Sequence, residues 1–124
     1  MHNYKELIIW KESMRLAKEA YLVSAAFPQD ERFGLISQVR RCAVSIPSNI
    51  AEGAGRKSDK EFLHFLSLAS GSIYELETQL LLCIDLGYSQ SVKLNDCFML
   101  ITALQKMLYK FQEQLSIKTS VGKV

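Results

Sequence analysis

Apolar side chains recur along this chain at alternating spacings of three and four, the period of a helix with one buried face. In the first segment Trp10, Met14, Ala17, Tyr21 and Ser24 form one aromatic-rich stripe. Asn3 followed by Glu6 resembles a capping box, in which both side chains satisfy free backbone N–H groups, so the helix is expected to open near Asn3. Pro28 stops it near Phe27, because proline disfavours helical geometry in the residue before it. In the loop that follows, Asp30 and Glu31 suit the positive end of the next helix.

The second segment repeats Leu35, Val39, Cys42, Ala43, Ile46 and Ile50. It ends at Gly53-Ala54-Gly55, where glycine can take the left-handed cap conformation. Pro47 interrupts it: proline has no N–H for the Ala43 carbonyl and its ring crowds that carbonyl. Ser45 and Ser48 are placed to bond freed backbone groups. The apolar spacing continues through Ile50, which predicts one kinked helix rather than two. The third segment opens on Ser58-Asp59-Lys60-Glu61, a well-formed capping box. Phe62, Leu66, Ala69, Ile73, Leu76, Leu80 and Cys83 carry its stripe, and Gly87 closes it. The small residues around Gly71, from Ser67 to Ser72, predict a tight helix crossing there. The fourth segment repeats Leu94, Cys97, Phe98, Ile101, Leu104, Leu108, Phe111 and Leu115 before a polar tail from Ser116.

Four amphipathic segments with short loops and no strand-like alternation predict an all-α, antiparallel up-down four-helix bundle, its second helix kinked at Pro47. One domain is expected over residues 1–124, with about 117–124 a frayed tail. The apolar faces are wide: Leu63, Phe65, Tyr74 and Leu81 lie beside the third stripe, and Leu7, Ile8 and Ile9 begin the first. Such faces either fill a thick core or leave apolar surface for self-association, and association is the expectation.

Composition narrows the picture. The chain has 124 residues, 48% hydrophobic and 23% charged, a globular balance that excludes disorder. The formal net charge is only +2, too small to imply nucleic acid by itself. The basic excess is local: residues 1–62 carry ten basic and eight acidic groups, and residues 63–124 carry five of each. Cys42, Cys83 and Cys97 are odd in number, widely spaced and on apolar stripes, which points to buried small hydrophobes rather than zinc ligands or disulfides. A reducing, cytoplasmic compartment is expected. No signal-peptide pattern opens the chain, and Asp85 interrupts the run Leu80-Leu81-Leu82-Cys83-Ile84, so no membrane span is expected.

One polar stripe stands out. Arg41, Ser45, Ser48, Glu52 and Arg56 share a face of the second helix, with Arg40, Asn49, Lys57 and Lys60 nearby. Two readings are open. The stripe is an anion or phosphate site, since arginine presents a planar fork to phosphate oxygens. Alternatively it is an intramolecular or inter-subunit network, with Glu52 four residues before Arg56 in the favourable order for an ion pair. A weaker stripe, Lys11, Arg15 and Lys18, is interleaved with Glu12 and Glu19 and so locally neutralised. An enzyme is not expected. His64 lacks partners at triad-like spacing, there is no E-x-x-H metal motif, and Gly53-Ala54-Gly55 lacks both the third glycine and the strand of a phosphate loop. No cofactor or metal is expected.

The run from Gln38 to Gly53 is Q-V-R-R-C-A-V-S-I-P-S-N-I-A-E-G, against a family hallmark close to Q-I-R-R-A-x-x-S-I-P-S-N-I-A-E-G. On this run the chain resembles the bacterial 23S rRNA-intervening sequence proteins. Lys60-Glu61-Phe62-Leu63-His64-Phe65-Leu66, the stretch Gly71–Thr78, Leu86-Gly87-Tyr88 and Trp10 extend the likeness from about Leu7 to Leu115. Val39 and Cys42 stand where isoleucine and alanine are common, and Ser70 where the family often has a larger apolar residue. The resemblance implies a four-helix bundle that assembles as a ring, typically a homopentamer. Some members are encoded within insertions of ribosomal RNA genes. Related accessory proteins of diversity-generating retroelements share the fold and associate with a reverse transcriptase and nucleic acid. By that likeness Arg40, Arg41, Arg56, Lys57 and Lys60 become candidate contacts to an RNA or DNA backbone. The leading expectation is therefore a non-enzymatic oligomer with a basic binding surface. The alternative is a protein-interaction scaffold, in which Arg41 and Arg56 are buried and paired with carboxylates such as Glu52.

Overall fold

The computed structural model describes residues 2–121. Four α-helices carry the chain: α1 (Ile8–Ser24), α2 (Leu35–Ala54), α3 (Asp59–Asp85) and α4 (Asn95–Val121). Short 3-10 turns at Tyr4–Glu6, Gln29–Glu31 and Ser91–Leu94 precede α1, α2 and α4, and the described residues contain no strand. Each helix packs on two others, α1 on α2 and α4, and α3 on α2 and α4, which closes a helical bundle. No helix is long and apolar enough to cross a membrane among the described residues.

Helices α2, α3 and α4 bury the predicted stripes. Leu35, Val39, Cys42, Ala43, Ile46 and Ile50 are buried on α2, and all seven expected positions from Phe62 to Cys83 are buried on α3. Leu94, at the end of the Ser91–Leu94 turn, is buried with Cys97, Ile101, Leu104, Leu108 and Leu115 of α4, and Phe98 and Phe111 pack against them. Helix α2 runs through Pro47, whose side chain is buried. Ser45 Oγ donates to the Cys42 carbonyl at 2.6 Å and Asn49 Nδ2 to the Ser45 carbonyl at 2.8 Å, polar support beside the proline. Ser58 caps α3, its Oγ accepting from the Glu61 N–H at 3.2 Å. Gly87, at φ +77°, ends that helix: its own N–H bonds the Ile84 carbonyl and the Tyr88 N–H bonds the Cys83 carbonyl.

Several expectations are corrected. Asn3 makes no side-chain cap and α1 starts at Ile8, after Leu7 in an extended conformation. The reason is tertiary. His2 N–H bonds the Ala54 carbonyl at 2.9 Å, and the Tyr4 ring packs edge-on against Trp10 at 5.3 Å, so the first residues fold back over the bundle. The buried face of α1 is Ile9, Ser13, Leu16, Ala17, Ala20 and Ser24, so of the expected stripe Ala17 and Ser24 are buried while its large members are not. Small residues face inward because they let α1 approach α2, and the Ser13 and Ser24 hydroxyls donate to carbonyls three residues back. Met14 and Tyr21 are exposed and Trp10 is half-buried. Helix α1 also stops short of the proline, at Ser24, and Phe27 turns into the core. Gly55, which caps α2, has φ −83°, so no left-handed cap forms. Gly71 itself is exposed with nothing within 4 Å of the place a Cβ would take, so it is not the point of contact; in the same patch Ser72 meets α2, its carbonyl accepting from Cys42 Sγ at 3.0 Å and its Oγ lying 2.7 Å from Ser45 Oγ. Helix α4 runs through Ser116 to Val121, beyond the end of the apolar repeat, and residues 122–124 of the expected tail lie outside the described residues.

All three thiols are buried in the core. Burial pushes Cys42 up to about 12, and Cys83 and Cys97 up to about 11, with nearby carboxylates adding to each. The thiolate is the reactive form, so all three are inert when folded. Native protein at about pH 8 should leave a disulfide reagent such as DTNB unreacted over minutes. Denaturant should release all three thiols. Rapid labelling of any one of them in the native state would contradict this packing.

A polar clasp ties down the chain start. His2 Nε2 lies 3.1 Å from Asp59 Oδ1, Lys118 Nζ lies 3.6 Å from Asp59 Oδ2, and the His2 ring packs 4.9 Å from Phe62. The His2 hydrogen bond, with help from the Lys118 charge, holds the Asp59 carboxyl below its ordinary value. Its contribution is thus present above the unfolded carboxylate value of about 3.9 and fades as pH falls through the lower folded value. Asp59→Asn should cost under about 1 kcal/mol at neutral pH, since the group is partly solvated. Thermal melts of parent and variant should converge as the pH is lowered through that folded value.

Candidate functional site

The polar stripe divides into two places along α2. Arg41 and Arg56 are fifteen positions apart, roughly 20 Å along a helix axis, so they serve different surfaces. At the far end Arg56 donates to Glu52 at 2.8 Å and its guanidinium lies over the Phe65 ring at 4.7 Å. Both partners of that pair are exposed. Lys57 and Lys60 are exposed on the turn into α3 and the start of that helix. Ser48 is exposed and faces a groove with Trp10 and Pro47. These residues are not gathered with Arg40 and Arg41.

The first half of α2 is different. Arg40 and Arg41 meet Arg32, which the turn after α1 delivers, around an open cleft of about 590 Å³. Tyr21, Phe33, Ile36 and Val44 supply its apolar lining, and Ser37 and Ser45 its hydroxyls. No carboxylate lines it. Glu31, in the same turn as Arg32, is occupied elsewhere: Oε1 accepts from the Leu35 N–H at 3.3 Å and Oε2 from the Tyr88 hydroxyl at 3.2 Å. That hydrogen bond and the charge of Glu31 add to burial in raising the Tyr88 pKa.

Arg40 is held without being neutralised. Its Nε donates to Ser24 Oγ at 2.9 Å, its Nη2 to the Tyr21 carbonyl at 3.3 Å, and the guanidinium lies 4.8 Å from the centroid of the Tyr21 ring. All these partners are neutral, so the positive charge survives at a fixed position, the condition for binding an anion without reorganisation. Ser24 is satisfied in turn, since the hydroxyl that accepts from Arg40 donates to Tyr21. Arg32 lies over the Phe33 ring at 5.0 Å. Arg41 makes no hydrogen bond or ion pair among the described residues, and it also borders a smaller depression lined by Gln38, Ser72 and Glu75. Ser45 joins the helices below, donating to Cys42 and lying 2.7 Å from Ser72 Oγ. Among the described residues no cluster of three His, Cys, Asp or Glu side chains is placed to hold a metal ion.

Arg32, Phe33 and Tyr21 are the members that reading the stripe alone missed. The signal was present: stepping back by fours from Arg41 along the same face gives Ser37 and then Phe33. What was not visible is that Tyr21, from another helix, closes the cleft.

Comparison with curated proteins gives no match to this chain. A comparison with family models matches residues 5–110 to the 23S rRNA-intervening sequence protein model, a span that contains all four helices up to the last turns of α4 and every residue of the arginine cleft. On that span the chain belongs to the 23S rRNA-intervening sequence protein family.

Proposed function

We propose that this protein is a non-enzymatic, oligomeric binding protein that holds the phosphate backbone of RNA or DNA at the Arg32–Arg40–Arg41 cleft. One observation carries the reading: three guanidinium groups share a cleft lined by no carboxylate, and the best fixed of them is held by neutral groups alone. A guanidinium offers paired N–H donors to phosphate oxygens, and an open cleft suits a polymer that runs past it. Arg56, Lys57 and Lys60 extend the basic surface beyond the cleft.

Assembly, a pentamer by family likeness, is supported by large apolar side chains left exposed, among them Ile8, Leu22, Tyr74, Leu81 and Tyr109. The antiparallel up-down order is supported by His2, Ala54, Asp59 and Lys118 meeting at one place, which brings together the starts of α1 and α3 and the ends of α2 and α4. A kink at Pro47 follows from proline's missing donor. Three buried free thiols suit a reducing, cytoplasmic setting. A reverse transcriptase is a protein partner by likeness to retroelement accessory proteins alone.

Purified protein titrated into labelled RNA at two salt concentrations tests the reading. Affinity should fall steeply between about 50 and 200 mM salt, as released counterions require. Absence of binding at the lower concentration would dispose of it. The second reading, a protein-interaction scaffold, draws on the Glu52–Arg56 pair and the Ser45–Ser72 contact, both structural uses of the same stripe. It requires Arg41→Ala to break the assembly. An intact oligomer with weakened RNA binding would reject the scaffold and support the cleft.

A further inference from the structure

We infer that the arginine cleft takes single-stranded nucleic acid, with an unpaired base stacked on Phe33; this rests on the phosphate-binding reading above and narrows it. Phe33 is 87% exposed, the most exposed of the large hydrophobic side chains among the described residues. It lies in the short turn before α2 and adds nothing to the core. An aromatic ring left in water is not required by the fold, since any polar residue would serve that turn. The guanidinium of Arg32 sits 5.0 Å from the ring centroid, which leaves the opposite face open at that exposure.

The cleft repeats this pairing. Tyr21, also exposed, carries Arg40 at 4.8 Å on its inner side. Two aromatic rings, each backed by a cation, thus flank the three arginines. A duplex gives such rings no base face to stack on, because its bases are stacked on one another and its grooves show only their edges. A single strand offers both a phosphate chain for the arginines and base faces for the rings, the pairing found on stacking platforms. Stacking accepts any base, so little sequence preference follows.

The test compares the parent, Phe33→Ala and Phe33→Trp on three labelled probes by fluorescence anisotropy. The probes are a single-stranded RNA of about 15 nucleotides, its duplex, and an abasic strand of equal charge. Phe33→Ala should lose roughly tenfold in affinity for the base-bearing single strand, with duplex and abasic binding changed by less than about twofold, and Phe33→Trp should restore it. Circular dichroism and sizing of both variants fix the fold and assembly. Equal loss on all three probes, or no loss on any, overturns the stacking role while phosphate binding stands. A change of assembly with unaltered RNA binding assigns Phe33 to a subunit contact and overturns it as well. No binding of any probe by the parent removes the phosphate reading itself.

Discussion

Gly53→Ala should lower the stability of this protein by about 1–2 kcal/mol, whereas Gly71→Ala should raise it by up to about 1 kcal/mol. Both glycines lie inside helices, so local propensity favours alanine at each by about 0.5–1 kcal/mol. Their surroundings decide the sign. A Cβ on Gly53 would stand 2.6 Å from Phe65 Cβ, 2.9 Å from Phe62 Cδ1 and 3.3 Å from the Phe62 carbonyl oxygen. Two of those atoms are fixed to the backbone of α3 and cannot turn away, so α2 and α3 would have to part. Overpacking of that kind costs about 1–3 kcal/mol and outweighs the propensity gain. At Gly71 the space is open and the gain stands. Thermal unfolding reads both: the melting temperature should fall by several degrees for Gly53→Ala and rise by a few for Gly71→Ala. A rise at Gly53 would mean that the two helices do not meet there.

The same pair of glycines shows what was legible in the sequence. Period and capping identify helices well, because they depend on residues a few positions apart. The faces of α2, α3 and α4, the Ser58 cap and the Gly87 stop were all readable. Which glycine marks a close crossing depends on what another helix places against it, and local pattern put that crossing at Gly71 instead of Gly53. On α1 the stripe named Ala17 and Ser24 correctly but joined them to Trp10, Met14 and Tyr21, where the inner face takes Ile9, Ser13, Leu16 and Ala20 instead. The candidate site followed the same rule. Arg41 was visible as part of a stripe, with Arg40 beside it. Their difference from Arg56 was not, because neutral anchors for Arg40 come from α1 and an aromatic partner for Arg56 comes from α3.

Reversing Arg32 and Arg41 together, as Arg32→Glu with Arg41→Glu, should weaken RNA binding on the order of 100-fold at low salt and leave the fold intact. Both side chains are exposed and neither makes a hydrogen bond or ion pair among the described residues, so little native structure depends on them. Arg40 is spared because it bonds Ser24 and the Tyr21 carbonyl, so its replacement would break two contacts between α1 and α2. The size follows from two lost charge-assisted contacts at about 1.5 kcal/mol each, before repulsion is counted. The reversal also inverts the formal net charge of +2, so a merely diffuse attraction would weaken too. A matched control separates the two effects: Lys106→Glu with Lys110→Glu makes the same change of charge on α4, away from the cleft. If the cleft is the site, the arginine pair loses far more affinity than the lysine pair. Its binding should also depend less on salt, the logarithmic slope falling by about 1.4 for two phosphate contacts to a single strand. Equal losses in the two double variants would leave only net charge at work and would place the contact somewhere other than the cleft.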